Sequence, residues 1–164
     1  MSRLDKIKSK IYTQAQIKAP LNVWRLLGKK LVFTNGCFDL LHLGHIDYLS
    51  KASDLGDKLV IGLNSDSSAS ALKGPGRPIN DQLSRSVMLA SFSFVDAVVI
   101  FDEPTPLNLI ELVRPDVLVK GADYSIEQIV GADLVLQYGG EVKTIEYLNG
   151  YSTSLIEKKI RSGS

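Results

Sequence analysis

Apolar residues fall in short blocks along this chain, separated by stretches where they recur every three or four positions. Residues 31–34, LVFT, form a compact apolar run rich in β-formers. KLVIGL (58–63), AVVIF (97–101), DVLVK (116–120) and EVKTIEY (141–147) repeat that type. Between the runs the spacing is helical. HIDYLSKASDLG puts Ile46, Leu49 and Ala52 on one face and stops at Gly56. DQLSRSVMLASFSF aligns Leu83, Val87 and Ala90. TPLNLIELV starts with Thr105 as N-cap and Pro106 in the first turn. IEQIVGADLVLQYG reads as a helix broken at Gly131, and STSLIEKKIR as a closing helix.

Strands alternating with helices of this size predict an α/β fold, a Rossmann-like parallel sheet of five strands with helices on both faces. Continuous apolar strands agree, because both faces of each are covered. Residues 1–28 lie outside the alternation and read as an N-terminal helical extension. Within it APLNVWRLL forms a short helix with Pro20 near its start and Gly28 past its end. Residues 29–164 then make the single main domain. In such sheets ligands bind beyond the carboxyl ends of the strands, so the chemistry is sought in the segments after them.

Composition narrows the choice. The 164 residues are 45% hydrophobic with a net charge of +1, so no broad nucleic-acid surface is expected and any anion site is local. One cysteine makes no internal disulfide, which fits a reducing cytoplasm. No apolar run is long enough for a membrane span.

Both histidines of the chain, His42 and His45, sit in NGCFDLLHLGH, between the first strand and its helix. Gly44 lets them lie close together at a helix N-terminus, where free N–H groups and the helix dipole favour phosphate. Capping or solvated histidines and a metal pair are the other readings. Two ligands without a third make a poor zinc site. Neither the P-loop pattern nor the dinucleotide fingerprint occurs. After the second strand, Lys73 and Arg77 sit in a Gly/Pro-rich stretch, read as a mobile cationic lid over polyphosphate. Asn64, Ser65 and Asp66 are loop formers. Lys120 reads as a strand-end lysine, Ser152 to Ser154 as a helix cap, and Cys37 as a small buried residue near the turn.

TNGCFDLLHLGH resembles the H-x-G-H signature of the nucleotidyltransferase superfamily. With LGDKLVIGLNSD, LKGPGRPIN, VKGADY and NGYSTSLIEKKI, residues 29–161 resemble the adenylyltransferase domain of the bacterial heptose-phosphate pathway. The resemblance implies transfer of AMP from ATP to D-glycero-β-D-manno-heptose 1-phosphate, giving ADP-heptose and pyrophosphate for lipopolysaccharide or another surface polysaccharide. It implies that His42, His45, Lys73 and Arg85 act on the phosphates. Asn35, Gly36, Cys37, Phe38, Gly44, Lys120, Gly121, Asp123, Ser152, Thr153 and Ser154 would bind the nucleotide, with Asp123 reading the base. Asn64, Asp66 and Arg77 would meet the sugar phosphate, and Asp39 would hold Mg²⁺. A cytoplasmic homodimer with the sugar kinase on a separate chain completes the expectation. Two alternatives stand beside it: a cytidylyltransferase acting on glycerol 3-phosphate or a similar alcohol phosphate, and a non-catalytic nucleotide sensor. Cytidylyltransferases carry an arginine three residues before the glycine of the last motif, where this chain has Tyr147.

Overall fold

The structure, a computed structural model, describes residues 1–163. Helix α1 (Arg3–Lys8) opens on a capping box in which Ser2 and Asp5 exchange hydrogen bonds. A two-residue strand β1 (Ile11–Tyr12) and helix α2 (Lys18–Leu26) follow. From there strand and helix alternate: β2 (Leu31–Gly36), α3 (Leu43–Ser53), β3 (Lys58–Asn64), α4 (Asp66–Lys73), α5 (Gln82–Ser91), β4 (Ala97–Phe101), α6 (Leu107–Val113) and β5 (Val117–Gly121). A 3₁₀ turn at Ile126–Gln128, α7 (Ala132–Gln137), β6 (Glu141–Ile145) and α8 (Thr153–Ser162) complete the order. No helix among the described residues is long and apolar enough to cross a membrane.

The sheet is parallel throughout, in the order β1-β4-β3-β2-β5-β6. It therefore has six strands, not the expected five. The sixth is β1, inside the stretch read as an extension, where Ile11 pairs Val98 and Tyr12 pairs Val99. Two residues make no readable apolar run; pairing with β4 makes them a strand. Lys10 secures the edge by donating to the carbonyls of Phe92 and Val95 at 3.1 and 2.8 Å.

Strand residues alternate between two cores. Leu31, Phe33, Val60, Val99 and Leu118 face α2, α6 and α7. Val32, Ile61, Leu63, Val98 and Val119 face α3 and α5. The sequence periodicity misplaced parts of three helices. In α5 the buried residues are Arg85, Ser86, Leu89 and Ala90, while Leu83 is exposed. Ala90 is buried and Val87 half-buried as expected, and Arg85 takes a buried place on the same helix. The N-cap of α6 is Pro106 rather than Thr105. Before α7 the chain makes only the 3₁₀ turn, and Gly131, at φ +84°, starts the helix proper. Residues 66–73, read as loop, form α4: small residues hide its periodicity, but Ser65 caps it by accepting from the Ser68 N–H.

Chain order runs from β2 outward through β3 to β4, then returns to β5 on the other side of β2. That reversal opens a crevice at the carboxyl ends of β2 and β5, the usual ligand position in this architecture.

Candidate nucleotide-transfer site

The segment after β2 enters the crevice. Phe38 has φ +46°, a backbone conformation that costs about 1–3 kcal/mol outside glycine. Its ring meets His45 edge-on, with centroids 5.4 Å apart. His42 is the N-cap of α3 in extended conformation, yet its side chain makes no capping bond. Instead its imidazole stacks on His45, centroids 3.9 Å apart and planes 27° apart. Gly44 permits this: a Cβ there would come within 3.0 Å of His42 Nδ1 and 3.2 Å of Tyr151 Cβ. The last contact also brings the segment before α8 against the start of α3.

Both imidazoles keep a buried Nδ1 with no partner, and the Oδ1 of Asn35, at the carboxyl end of β2, is also buried and unpaired. Buried polar atoms are rarely left so, and three at one crevice point to a ligand that satisfies them. Burial pushes the His45 pKa down to about 4, with His42 adding to the effect, and burial lowers His42 as well. Both rings are therefore neutral at pH 7, able to bind an anion without first being bound by an acid of the protein.

Lys120, at the end of β5, donates to the Asn35 carbonyl at 3.2 Å, and burial lowers its pKa to about 8. Lys73 ends α4 with an exposed side chain whose charge reaches Cys37. Burial nonetheless raises the Cys37 pKa, so the thiol stays protonated and unreactive at neutral pH. Ser152 caps α8 by accepting from the Leu155 N–H, with Thr153 and Ser154 in the first turn.

Several expected ligands are placed elsewhere. Arg85 is fully buried. It donates to the carbonyls of Asn80, Cys37 and Asn64 at 2.9, 2.6 and 2.9 Å and to Asp66 at 2.7 Å. Its guanidinium thus ties together the ends of β2 and β3 and the loop before α5, leaving no surface for a phosphate. Asp66 is engaged by that arginine, and buried Asn64 donates to Ser68 at 2.8 Å. Asn64 is buried, and the Asp66 carboxylate, though partly exposed, is a paired anion that would repel a sugar phosphate. Arg77 bridges Asp39, at 2.6 Å, and Glu157 of α8, so the loop expected to be a free lid is strapped at both sides.

Asp39 does not fit a metal ligand here. Its carboxylate accepts from Arg77 at 2.6 Å, from the Ile79 N–H at 2.8 Å and from the Asn80 N–H at 2.9 Å. Burial alone would raise its pKa, but these bonds outweigh it and hold the pKa below the usual value. Among the described residues no three His, Cys, Asp or Glu side chains cluster for a metal. Replacing Asp39 with alanine is expected to speed hydrogen exchange across residues 74–80 by about 10-fold or more, the scale for losing a charge-assisted bond. Unchanged exchange would show that the strap does not hold the loop.

A cavity of about 900 Å³ opens at the opposite, amino-terminal edge of the sheet, lined by Arg25, Lys30, Asp116 and Glu141 among others. Size alone does not make it the site. Lys30 pairs Glu141 at 3.3 Å, Arg25 donates to the Leu112 and Val113 carbonyls, and Asp116 accepts from the Leu31 N–H. The crevice is the place with unspent groups.

The cytidylyltransferase-like family model matches residues 33–159, which span every element of the crevice. The chain belongs to the cytidylyltransferase-like family. It is 54% identical over 152 residues to the bifunctional protein HldE of Syntrophotalea carbinolica, covering 93% of this chain and 31% of that protein. HldE of Campylobacter jejuni subsp. doylei is 52% identical over 162 residues, covering 96% of this chain and 34% of that protein. The chain thus spans about a third of the length of these curated relatives. Among solved structures, a lipopolysaccharide core biosynthesis protein from Thermoplasma volcanium aligns with TM-score 0.59 at 31% identity, over 76% of this chain and all of its own. Pantoate-beta-alanine ligase from Francisella tularensis shares the fold, with TM-score 0.64 at 16% identity, over 90% of this chain and 75% of its own. The family expected from TNGCFDLLHLGH is the one found. Sequence reading missed the seat that Gly121 gives Tyr147; a glycine ending a strand, with a tyrosine just past the neighbouring strand, was the available signal.

Proposed function

We propose that this chain transfers the adenylyl group of ATP to D-glycero-β-D-manno-heptose 1-phosphate. The observation that carries the reading is the stacked His42–His45 pair at the start of α3, with two buried ring nitrogens awaiting partners. The 52–54% identity to the HldE proteins supports the heptose acceptor.

A phosphate oxygen of the sugar phosphate attacks the α-phosphorus, a new P–O bond forms, and the bond to the β-phosphate oxygen breaks to release pyrophosphate. The nucleophile is already ionised, so no general base is required. The difficulty is charge, and it is met by positioning and by donors aimed at the transferring group. His42 and His45 serve the α- and β-phosphates, Lys73 and the start of α8 the leaving pyrophosphate. Arg85 acts as a positioning residue, holding the loops that carry these groups. A divalent ion, proposed to be Mg²⁺, would arrive on the phosphates, since Asp39 has no vacant oxygen. A homodimer belongs to the same proposal.

Cytidylyl transfer to an alcohol phosphate is the second reading, favoured by the family model alone. Tyr147 stands against it, in the place where that group carries a cation. A pyrophosphate-release screen of ATP and CTP against sugar and alcohol phosphates tests both. ATP with the heptose 1-phosphate is expected to turn over fastest, and CTP-dependent turnover with glycerol 3-phosphate would replace the proposal by its rival.

A further inference from the structure

We propose that Tyr147 is a stacking platform for the base of the nucleotide and that Gly121 is the seat that holds it; this rests on the reading of the crevice as an ATP site. The crevice is chemically divided. Beyond the imidazole pair on the β3 side lies the cation Lys73, at the end of α4. On the β5 and β6 side lie aromatic rings: Tyr48, Tyr124 and Tyr147. A nucleotide with its phosphates on the imidazoles would turn its tail to the cation and its base to the rings.

Among those rings Tyr147 is the one built for stacking. Gly121 pairs with Ile145 across β5 and β6, and Tyr147, two residues on, folds back over it. A Cβ at Gly121 would collide with the phenol, so any other residue would displace the ring. Tyr48 backs it with centroids 5.8 Å apart, and is itself fixed by a 2.8 Å hydrogen bond to Thr34. Tyr48 is 4% exposed, whereas Tyr124 and Tyr147 keep 45% and 47% of their surface, and it is Tyr147 that the Tyr48 ring backs. A supported ring with an open part offers a base a flat apolar surface already in place. Burial, then Asp123, pushes the Tyr147 pKa up to about 12, so the platform stays uncharged. Lys120 lies at the border, its ammonium 5.7 Å from the Tyr124 ring.

The test compares binding of a non-hydrolysable ATP analogue with that of tripolyphosphate, which has the phosphates and no base. Tyr147→Ala is expected to weaken the analogue about 10-fold, within the range for one lost base–aromatic stack, and to leave tripolyphosphate unchanged. Tyr147→Phe should bind both as the wild type does. Gly121→Ala should reproduce Tyr147→Ala, and the double variant should be no weaker than either alone, because both remove one contact. A Tyr147→Trp variant gives a reading independent of affinity: its emission should be quenched by the analogue and not by tripolyphosphate, with wild-type Trp24 as background. Melting temperatures accompany each variant, and Tyr147→Ala and Tyr147→Trp decide the matter if Gly121→Ala does not fold. A wild type that turns over ATP while Tyr147→Ala binds the analogue normally, or loses tripolyphosphate equally, overturns the platform and leaves the adenylyl-transfer reading standing. A wild type that binds no ATP overturns that reading and the platform with it.

Discussion

His45→Ala is expected to lower turnover by about 100-fold or more, the scale for losing one donor aimed at a developing charge. Affinity for ATP should change much less, because an interaction strengthened only in the transition state shows in turnover and not in ground-state binding. Stability should hold. The His45 Nδ1 makes no hydrogen bond, so its removal strands no polar group. The pH dependence follows from the same burial. His45 has a folded pKa of about 4 against an ordinary 6.5, so the folded protein binds fewer protons than the unfolded one between those values. Its contribution to stability therefore falls as pH drops from 6.5 toward 4, and His45→Ala should flatten that part of the curve. Urea melts of the wild type and His45→Ala between pH 4 and pH 7 read the difference. Near-normal turnover from folded His45→Ala would remove the imidazole pair from the mechanism.

Arg85→Ala is expected to act in the reverse manner, through the fold. Its removal leaves the carbonyls of Cys37, Asn64 and Asn80 without their donor in a buried place, and leaves a cavity. Each stranded group costs about 1–3 kcal/mol. A total of about 3–5 kcal/mol follows, in the range for breaking a buried charged network. In a domain of this size that lowers the melting temperature by about 10 °C or more. Arg85→Lys should recover little, because an ammonium cannot span three carbonyls and a carboxylate as the planar fork does. Thermal melts with kinetics on the folded fraction separate this from direct phosphate binding. A direct ligand would raise the KM for ATP and leave the melting temperature in place.

Much of this protein is legible along the chain. β2 to β5 are buried on both faces, so their apolar runs are unbroken and announce themselves. The H-x-G-H stretch, two imidazoles and a glycine at a helix start, states its chemistry locally, and the structure brings both rings together there. β1 was illegible because its two residues become a strand only by pairing Val98 and Val99. α4 was hidden because DSSASALK is too small and polar to show a face. Tyr147 read as a missing cation, whereas its ring sits on Gly121.

Local pattern determined most of the strands and helices and which family the chain joins. Those features depend on side-chain size, periodicity and the polarity of a helix end, all carried by neighbouring residues. Tertiary structure alone decided which charged residues are free. Arg85 meets the Cys37 carbonyl 48 positions away, and Arg77 meets Asp39 at a separation of 38. A charge in a sequence shows only that a partner or water is needed. The fold brings distant carbonyls and carboxylates to Arg85, Arg77 and Asp39, which ties them into the loops around the crevice, while the Nδ1 atoms of His42 and His45 keep no partner.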